Sequence, residues 1–119
     1  MAYEILQSDG DVVRVRLSGV IHMSDQRAIQ EAAATLIEQG RKVKVLAITD
    51  DFHGWDKDED WSDIGFLLEH GNDIVKMAIV GDERWKDDAF LFVGKGLRTT
   101  EIEFFPASSL KEAEAWVRA

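Results

Sequence analysis

The sequence contains no cysteine, a single proline (Pro106) and no long hydrophobic run. Without cysteine the chain can form no disulfide, use no thiol nucleophile and bind no metal through a thiolate. No window approaches the roughly 18 consecutive apolar residues that mark a transmembrane helix. The first residues, MAYEILQSDGD, have neither a basic region nor an apolar stretch, so we expect no signal peptide. These absences favour a cytoplasmic protein.

Positive charge is also scarce. Lys and Arg number 14 against 23 Asp and Glu, which gives a net charge of −9 over 119 residues. A nucleic-acid partner is not expected, because neutralising phosphates needs clustered cations. Simple electrostatic docking on anionic lipid is disfavoured for the same reason. The length predicts one domain, residues 1–119, with a single core.

The chain opens with the pattern of a β-hairpin. Strands are predicted at residues 3–7 and 12–18, joined by a turn that contains the Asp9-Gly10 pair. Apolar and basic residues alternate along the second strand, which is typical of a strand with one exposed face: Val13, Val15 and Leu17 against Arg14 and Arg16.

Helical spacing and capping signals predict four helices. The first begins with Ser24 as N-cap and Asp25 in its first turn, and it ends near Gln39, before Gly40. The second covers residues 59–70. The third runs from an Asp82 cap to about residue 95, and the last starts with the S-x-x-E capping-box pattern of Ser109 and Glu112.

Three further strands are predicted at residues 43–48, within 73–80 and at 100–105, with residues 49–58 as a loop. The element order is therefore ββαβαβαβα. Strict alternation of strands and helices after the hairpin implies right-handed crossovers. The sequence thus predicts an α/β fold with a mixed, mostly parallel five-stranded sheet and four helices.

The chain resembles the SpoIIAA-like family, which has a STAS-like fold. The resemblance is carried by segments spread over nearly the whole chain: Leu17-Ser18-Gly19-Val20-Ile21, Asp51-Phe52-His53-Gly54-Trp55, Met77-Ala78-Ile79-Val80-Gly81-Asp82 with Trp85, Phe104-Phe105, and Glu114-Ala115-Trp116-Val117. It implies a likeness to anti-sigma-factor antagonists, which act by protein contact and a phosphorylatable Ser. It also implies a likeness to the lipid-binding CRAL-TRIO fold, in which an apolar ligand sits beneath movable helices.

The polar motifs in the sequence do not match the patterns of known reaction or metal sites. Thr49-Asp50-Asp51-Phe52 stands where the antagonists carry their phosphorylated Ser, and it contains no Ser. The acidic run 56–60 begins like a calcium loop, but Trp61 and Leu67 occupy the positions that require Gly and Glu. His22, His53 and His70 match no zinc motif. We expect no catalytic residue, no metal and no cofactor.

The aromatic residues suggest two alternative roles. They either seal the helices predicted at 59–70 and 82–95 onto the sheet, or line an apolar groove between these helices when they move. The predicted groove leads to a non-enzymatic module that binds a lipid-like ligand or touches a membrane peripherally. The alternative is a protein-interaction module of the antagonist type, and the oligomeric state is open, a dimer included. The predicted ligand-binding residues are Phe52, Trp55, Trp61, Ile64, Leu68, Trp85 and Phe90.

Overall fold

The computed structural model describes residues 3–9, 11–56, 58, 73–93 and 99–119. The helix predicted at residues 59–70 lies outside this part of the chain. Three of the predicted ligand-binding residues, Trp61, Ile64 and Leu68, therefore lie outside it as well.

The centre of the molecule is a five-stranded mixed sheet with the strand order β1-β2-β3-β4-β5. β1 pairs antiparallel with β2, and the remaining neighbours pair in parallel. This confirms the predicted α/β fold with an opening hairpin and a mostly parallel sheet. The strands are β1 (Tyr3–Asp9), β2 (Val12–Ile21), β3 (Val43–Trp55), β4 (Ile74–Gly81) and β5 (Glu101–Pro106).

Three α-helices occur among the described residues: α1 (Met23–Glu38), α2 (Lys86–Phe92) and α3 (Leu110–Arg118). A turn of 3₁₀ helix precedes α2 (Glu83–Trp85), and another precedes α3 (Ala107–Ser109). None of the helices in these described ranges is long and apolar enough to cross a bilayer.

The helices are divided between the two faces of the sheet. α1 and α2 cover one face, because right-handed crossovers between parallel strands that lie in sequence order place their helices on the same side. α3 follows the last strand, so no crossover constrains it, and it packs on the other face. The first core contains Val13, Val15, Val45, Ala47, Met77, Ile79 and Ile102 with Ala33 and Ala89; the second contains Val12, Leu46, Ala78 and Val80 with Ala113 and Val117.

Polar contacts tie α3 to the sheet. The Arg14 guanidinium on β2 lies 2.6 Å from the Glu114 carboxylate on α3. A basic residue that was predicted on the exposed face of β2 therefore forms an ion pair with this helix. Lys76 and Lys44 donate to the carbonyl oxygens of Trp116 and Arg118, at 3.0 and 3.2 Å. These ammonium groups satisfy carbonyls of the last turn, where the helix dipole also favours positive charge.

The start of α1 differs from the prediction. His22, not Ser24, is the N-cap, and the backbone N–H of His22 donates to the Asp25 carboxylate at 2.9 Å. The helix starts two residues earlier than predicted, because Ile21 is still paired with Trp55 of β3 and the strand passes into the helix without a loop. At the other end, Gly40 has φ +82, which confirms its predicted role after the helix.

The third strand is longer than predicted. Residues 49–55, predicted as part of a loop, belong to β3, which runs to Trp55. β2 is also longer than predicted and pairs with this stretch through Gly19–Phe52 and Ile21–Trp55. Irregularities in the pairing coincide with positive φ angles at Gly19, Asp51 and Gly54. Hydrogen bonding to a neighbouring strand therefore overrides the local turn signals of this segment.

The predicted caps of the later helices are only partly found. Asp82 does cap, but it caps the 3₁₀ turn, accepting from the backbone N–H of Arg84 at 3.0 Å. Ser109 stands at the N-cap of α3 but its side chain makes no capping hydrogen bond, so the predicted capping box is wrong. Instead of a capping box, a 3₁₀ turn directly precedes α3.

Candidate functional site

The carboxyl ends of the parallel strands gather the residues of interest. β2 passes there into α1, β3 carries its irregular extension, and β4 ends at Gly81 before Asp82 and the 3₁₀ turn. In open α/β sheets this edge is the usual place for binding sites, because loops and helix starts from several strands meet there.

Four rings form an aromatic cluster at this edge: Phe52, Trp55, Trp85 and Phe92. Phe52 makes edge-to-face contacts with Trp55 and Trp85, with ring centroids 5.0 and 5.2 Å apart. Trp55 stacks on Phe92 at 4.4 Å with an interplanar angle of 10°. Phe52 is only 5% exposed, whereas the other three rings are half-buried. The cluster fixes the end of β3 against α2 and the 3₁₀ turn.

The cluster matches the sequence prediction in part. Phe52, Trp55 and Trp85 come together as expected. Phe90 does not join them: it packs against the core under α2, with its ring edge-to-face to Phe104 at 6.4 Å. Phe92 takes its place. Trp85 and Phe92 are seven residues apart, which is two helical turns, and this spacing was the available signal for including Phe92.

Carboxylates surround the end of β3. Asp50 and Asp51 are exposed, and Asp51 has a φ of +52 and lies 3.3 Å from Nε2 of His53. Asp56 connects two elements: its backbone N–H donates to Ile21 O at 2.9 Å and its carboxylate lies 3.0 Å from Nδ1 of His22. Asp56 therefore joins the end of β3 to the start of α1.

The helix α2 adds further negative charge and an exposed apolar side chain. Glu83, Asp87 and Asp88 are exposed, and the last two lie in the first turn of α2, where the helix dipole favours acidic residues. Leu91 is 75% exposed, the most exposed of the large apolar side chains in the described ranges. We call Asp50, Asp51, Asp87, Asp88 and Leu91 the acidic surface. Asp50 and Asp51 lie on β3 and the other three residues on α2, and these two elements are joined by the Trp55–Phe92 stack. The exposed cations Arg84 and Lys86 lie on the adjoining turn and helix.

Two observations describe the polar side chains of this edge within the described ranges. No three His, Asp or Glu side chains among them come close enough together to hold a metal ion. The Thr49 hydroxyl, which is the one hydroxyl within residues 49–52, is half-buried and donates to Val80 O at 2.8 Å. That bond ties β3 to β4 and leaves Thr49 a structural role.

The comparison with known families matches this architecture. A family model described as SpoIIAA-like matches residues 12–118. The chain belongs to the SpoIIAA-like family. The match begins at the first residue of β2 and ends at the last residue of α3, so it covers the parallel sheet and all three described helices.

Solved structures share this SpoIIAA-like fold at low sequence identity. An uncharacterised DUF3478-family protein from Shewanella loihica PV-4 has a TM-score of 0.64 and 21% identity, over 98% of this chain and 92% of that one. The anti-sigma factor antagonist SpoIIAA in its unphosphorylated form has a TM-score of 0.63 and 16% identity, over 99% of both chains. The phosphorylated Bacillus cell fate determinant SpoIIAA has 0.62 and 16%, over 97% and 99%. No curated protein matches the sequence.

Proposed function

We propose that this SpoIIAA-like chain is a non-enzymatic regulatory module that acts by binding another protein. The fold that it shares with an anti-sigma factor antagonist supports a role in protein contact.

The observation that carries the proposal is the acidic surface. Leu91 is largely exposed beside the carboxylates of Asp87 and Asp88. An apolar side chain within a charged rim is typical of a protein contact, in which the apolar group is buried and the rim sets the charge of the partner. The stacking of Trp55 on Phe92 connects β3 with α2, the two elements that carry these residues. We propose that the partner is basic where it meets this surface.

Control by phosphorylation differs from that of the antagonist in this proposal. One solved SpoIIAA structure is of the phosphorylated form. In the present chain Asp50 and Asp51 are exposed carboxylates within the corresponding segment, and the Thr49 hydroxyl donates to Val80 O. The negative charge of this segment is therefore built into the sequence, and we propose that its binding is not regulated by phosphorylation of residues 49–52.

The experiment compares two charge-matched double variants. Asp50→Lys/Asp87→Lys changes the acidic surface, and Glu31→Lys/Glu112→Lys makes the same change in net charge at exposed positions of α1 and α3. Glu112 lies in the first turn of α3 as Asp87 does in that of α2, so the cost to each helix is similar. Proteins captured from cell extract by each immobilised chain are quantified by mass spectrometry.

We expect a specific protein that binds the unmodified chain and the control, and that the acidic-surface variant loses. Its binding should weaken as salt rises, because exposed opposite charges are screened. A partner that both variants retain equally would place the contact elsewhere on the chain. A chain that captures no specific protein would overturn the proposed function.

Binding of an apolar ligand at the aromatic cluster stays a prediction. The rings of Phe52, Trp55 and Trp85 contact one another, so a ligand among them would have to separate rings whose contacts are worth about 0.5–1.5 kcal/mol per pair. A fluorescent fatty-acid analogue tests the hypothesis directly. Binding that quenches tryptophan fluorescence, and that Trp85→Ala weakens more than it lowers stability, would favour this function over protein contact.

A further inference from the structure

A cation of this chain lies beside the acidic surface and contacts both a ring and a carboxylate. Arg84, in the 3₁₀ turn before α2, has its guanidinium carbon 5.3 Å from the centroid of the Trp85 ring. The Nε atom of Arg84 lies 3.7 Å from the carboxylate of Asp82. We call the Trp85 ring and the Asp82 carboxylate the arginine seat. Planar guanidinium groups stack on aromatic rings and pair with carboxylates, so both parts of the seat suit arginine.

The arginine seat adjoins the acidic surface through both of its elements. The Trp85 ring lies edge-to-face to the Phe52 ring, with centroids 5.2 Å apart, and Asp51 directly precedes Phe52 on β3. Asp87 and Asp88 follow Trp85 in the first turn of α2. A basic partner that is attracted to these carboxylates therefore brings its own cations close to the seat.

The contact of Arg84 is exposed, so another cation can compete for it. The side chains of Arg84 and Asp82 are 66% and 62% exposed, and exposed ion pairs are weak. Lys76 on β4 is the opposite case: its ammonium lies 4.8 Å from the centroid of the Trp116 ring and donates to Trp116 O in a half-buried position. That lysine is part of the packing of α3, whereas the Arg84 side chain is open to solvent.

We propose that Arg84 is an internal competitor of the basic partner, and that an arginine of the partner takes its place against Trp85 and Asp82. This inference rests on the proposed function, because it requires a basic partner at the acidic surface. Only molecules with an empty seat bind the incoming arginine, so the apparent affinity falls in proportion to their fraction. If Arg84 fills the seat in about two-thirds to nine-tenths of the molecules, binding is weakened about three- to tenfold.

The test measures the binding of N-acetylarginine amide at this seat by NMR. The probe carries a single guanidinium and no other charge, and the indole N–H resonance that Trp85→Phe removes reports on the seat itself. N-acetyllysine amide at the same ionic strength is the control ligand, because an ammonium has no plane that stacks on the ring.

Two variants separate competition from a general effect of charge. Arg84→Gln empties the seat and keeps the cap of the 3₁₀ turn, because the backbone N–H of residue 84 is the group that donates to Asp82, at 3.0 Å. Lys86→Gln makes the same change in net charge, but the Lys86 ammonium lies over the Phe90 ring, not over Trp85.

We expect Arg84→Gln to bind the arginine probe at least about threefold more tightly than the unmodified chain. Lys86→Gln should change the affinity by less than about 1.5-fold at physiological salt, where single exposed charges are screened. Equal gains in the two variants, equal binding of the lysine probe to Arg84→Gln, or no shift of the Trp85 resonance in that variant would overturn the proposal. Capture of a partner from cell extract does not depend on these results, so this inference and the proposed function fail separately.

Discussion

Trp85 lies directly against Gly54. A Cβ atom built at position 54 would stand 2.9 and 3.0 Å from two carbons of the Trp85 ring, closer than real Cβ contacts. Gly54 also has a φ of +94, a conformation that residues with a side chain rarely adopt. The end of β3 can therefore pass under the 3₁₀ turn only because this residue has no side chain.

The first prediction is that Gly54→Ala destabilises the protein by about 3 kcal/mol, through backbone strain and the collision with Trp85. Gly19→Ala is the control: it has a φ of +64 but no atom within 4 Å of its added Cβ, so strain alone should cost about 1 kcal/mol. Urea unfolding measures both. Equal losses would show that the contact with Trp85 adds nothing.

The second prediction concerns the core beneath α3. Leu46 is fully buried on the central strand β3, so Leu46→Ala should cost about 2–5 kcal/mol from lost burial and the cavity left behind. Leu91→Ala should change the free energy of unfolding by less than about 0.5 kcal/mol, because that side chain is exposed. A loss below about 1 kcal/mol for Leu46→Ala would contradict the position of β3.

The third prediction tests the start of α1. Asp25→Ala should lower stability by about 1 kcal/mol, because it removes the acceptor of the His22 backbone N–H. Ser24→Ala should cost less than about 0.5 kcal/mol, since Ser24 is exposed and is not the cap. Thermal unfolding of the two variants distinguishes them. The opposite ranking would restore Ser24 as the cap.

The fourth prediction concerns the stacked rings. A double-mutant cycle with Trp55→Ala and Phe92→Ala should give a coupling energy of about 0.5–1.5 kcal/mol. The control cycle combines Trp55→Ala with Trp116→Ala, because Trp116 packs against Phe105 on the other face of the sheet. That pair should be additive within about 0.5 kcal/mol. Additivity in both cycles would contradict the stacking.

The fifth prediction is that millimolar Ca²⁺ leaves the melting temperature unchanged. No three acidic or histidine side chains among the described residues converge on one point. The calcium-loop pattern that starts at Asp56 lacks the required Gly and Glu. A rise of several degrees, reversed by a chelator, would show that the native protein binds the ion.

Much of the fold was predictable because its signals are local. The alternation of Val13, Val15 and Leu17 with Arg14 and Arg16 is a property of one strand, and the structure has it. The end of α1 is also a local feature, formed by the positive φ of Gly40 and by hydrogen bonds from Gly40 and Arg41 back to the last turn. Strand and helix order then limit the topology, because crossovers between parallel strands are right-handed.

The candidate site was predictable only in part because its geometry depends on partners distant in sequence. Phe52, Trp55 and Trp85 were expected together, since strand ends meet at one edge. Phe92 replaces Phe90 because the 3₁₀ turn before α2 sets which side of the short helix faces Trp55. The sequence shows only that Trp85 and Phe92 are seven residues apart. Which side of α2 faces β3 is seen only in the packed structure.

The sequence by itself determined the order of the described strands and helices, the mixed parallel sheet and the acidic character of the chain, because periodicity and charge need no distant contact. Only the tertiary structure decided that residues 49–55 extend β3, that His22 caps α1 and that Trp85 lies on Gly54. The local signals were turn residues for the first case, the Ser24 hydroxyl for the second and the Trp85 ring for the third. In each case the structure that formed depended on the segment packed beside the residue. Hydrogen bonds from β2 and contacts with the 3₁₀ turn are formed only when the sheet assembles.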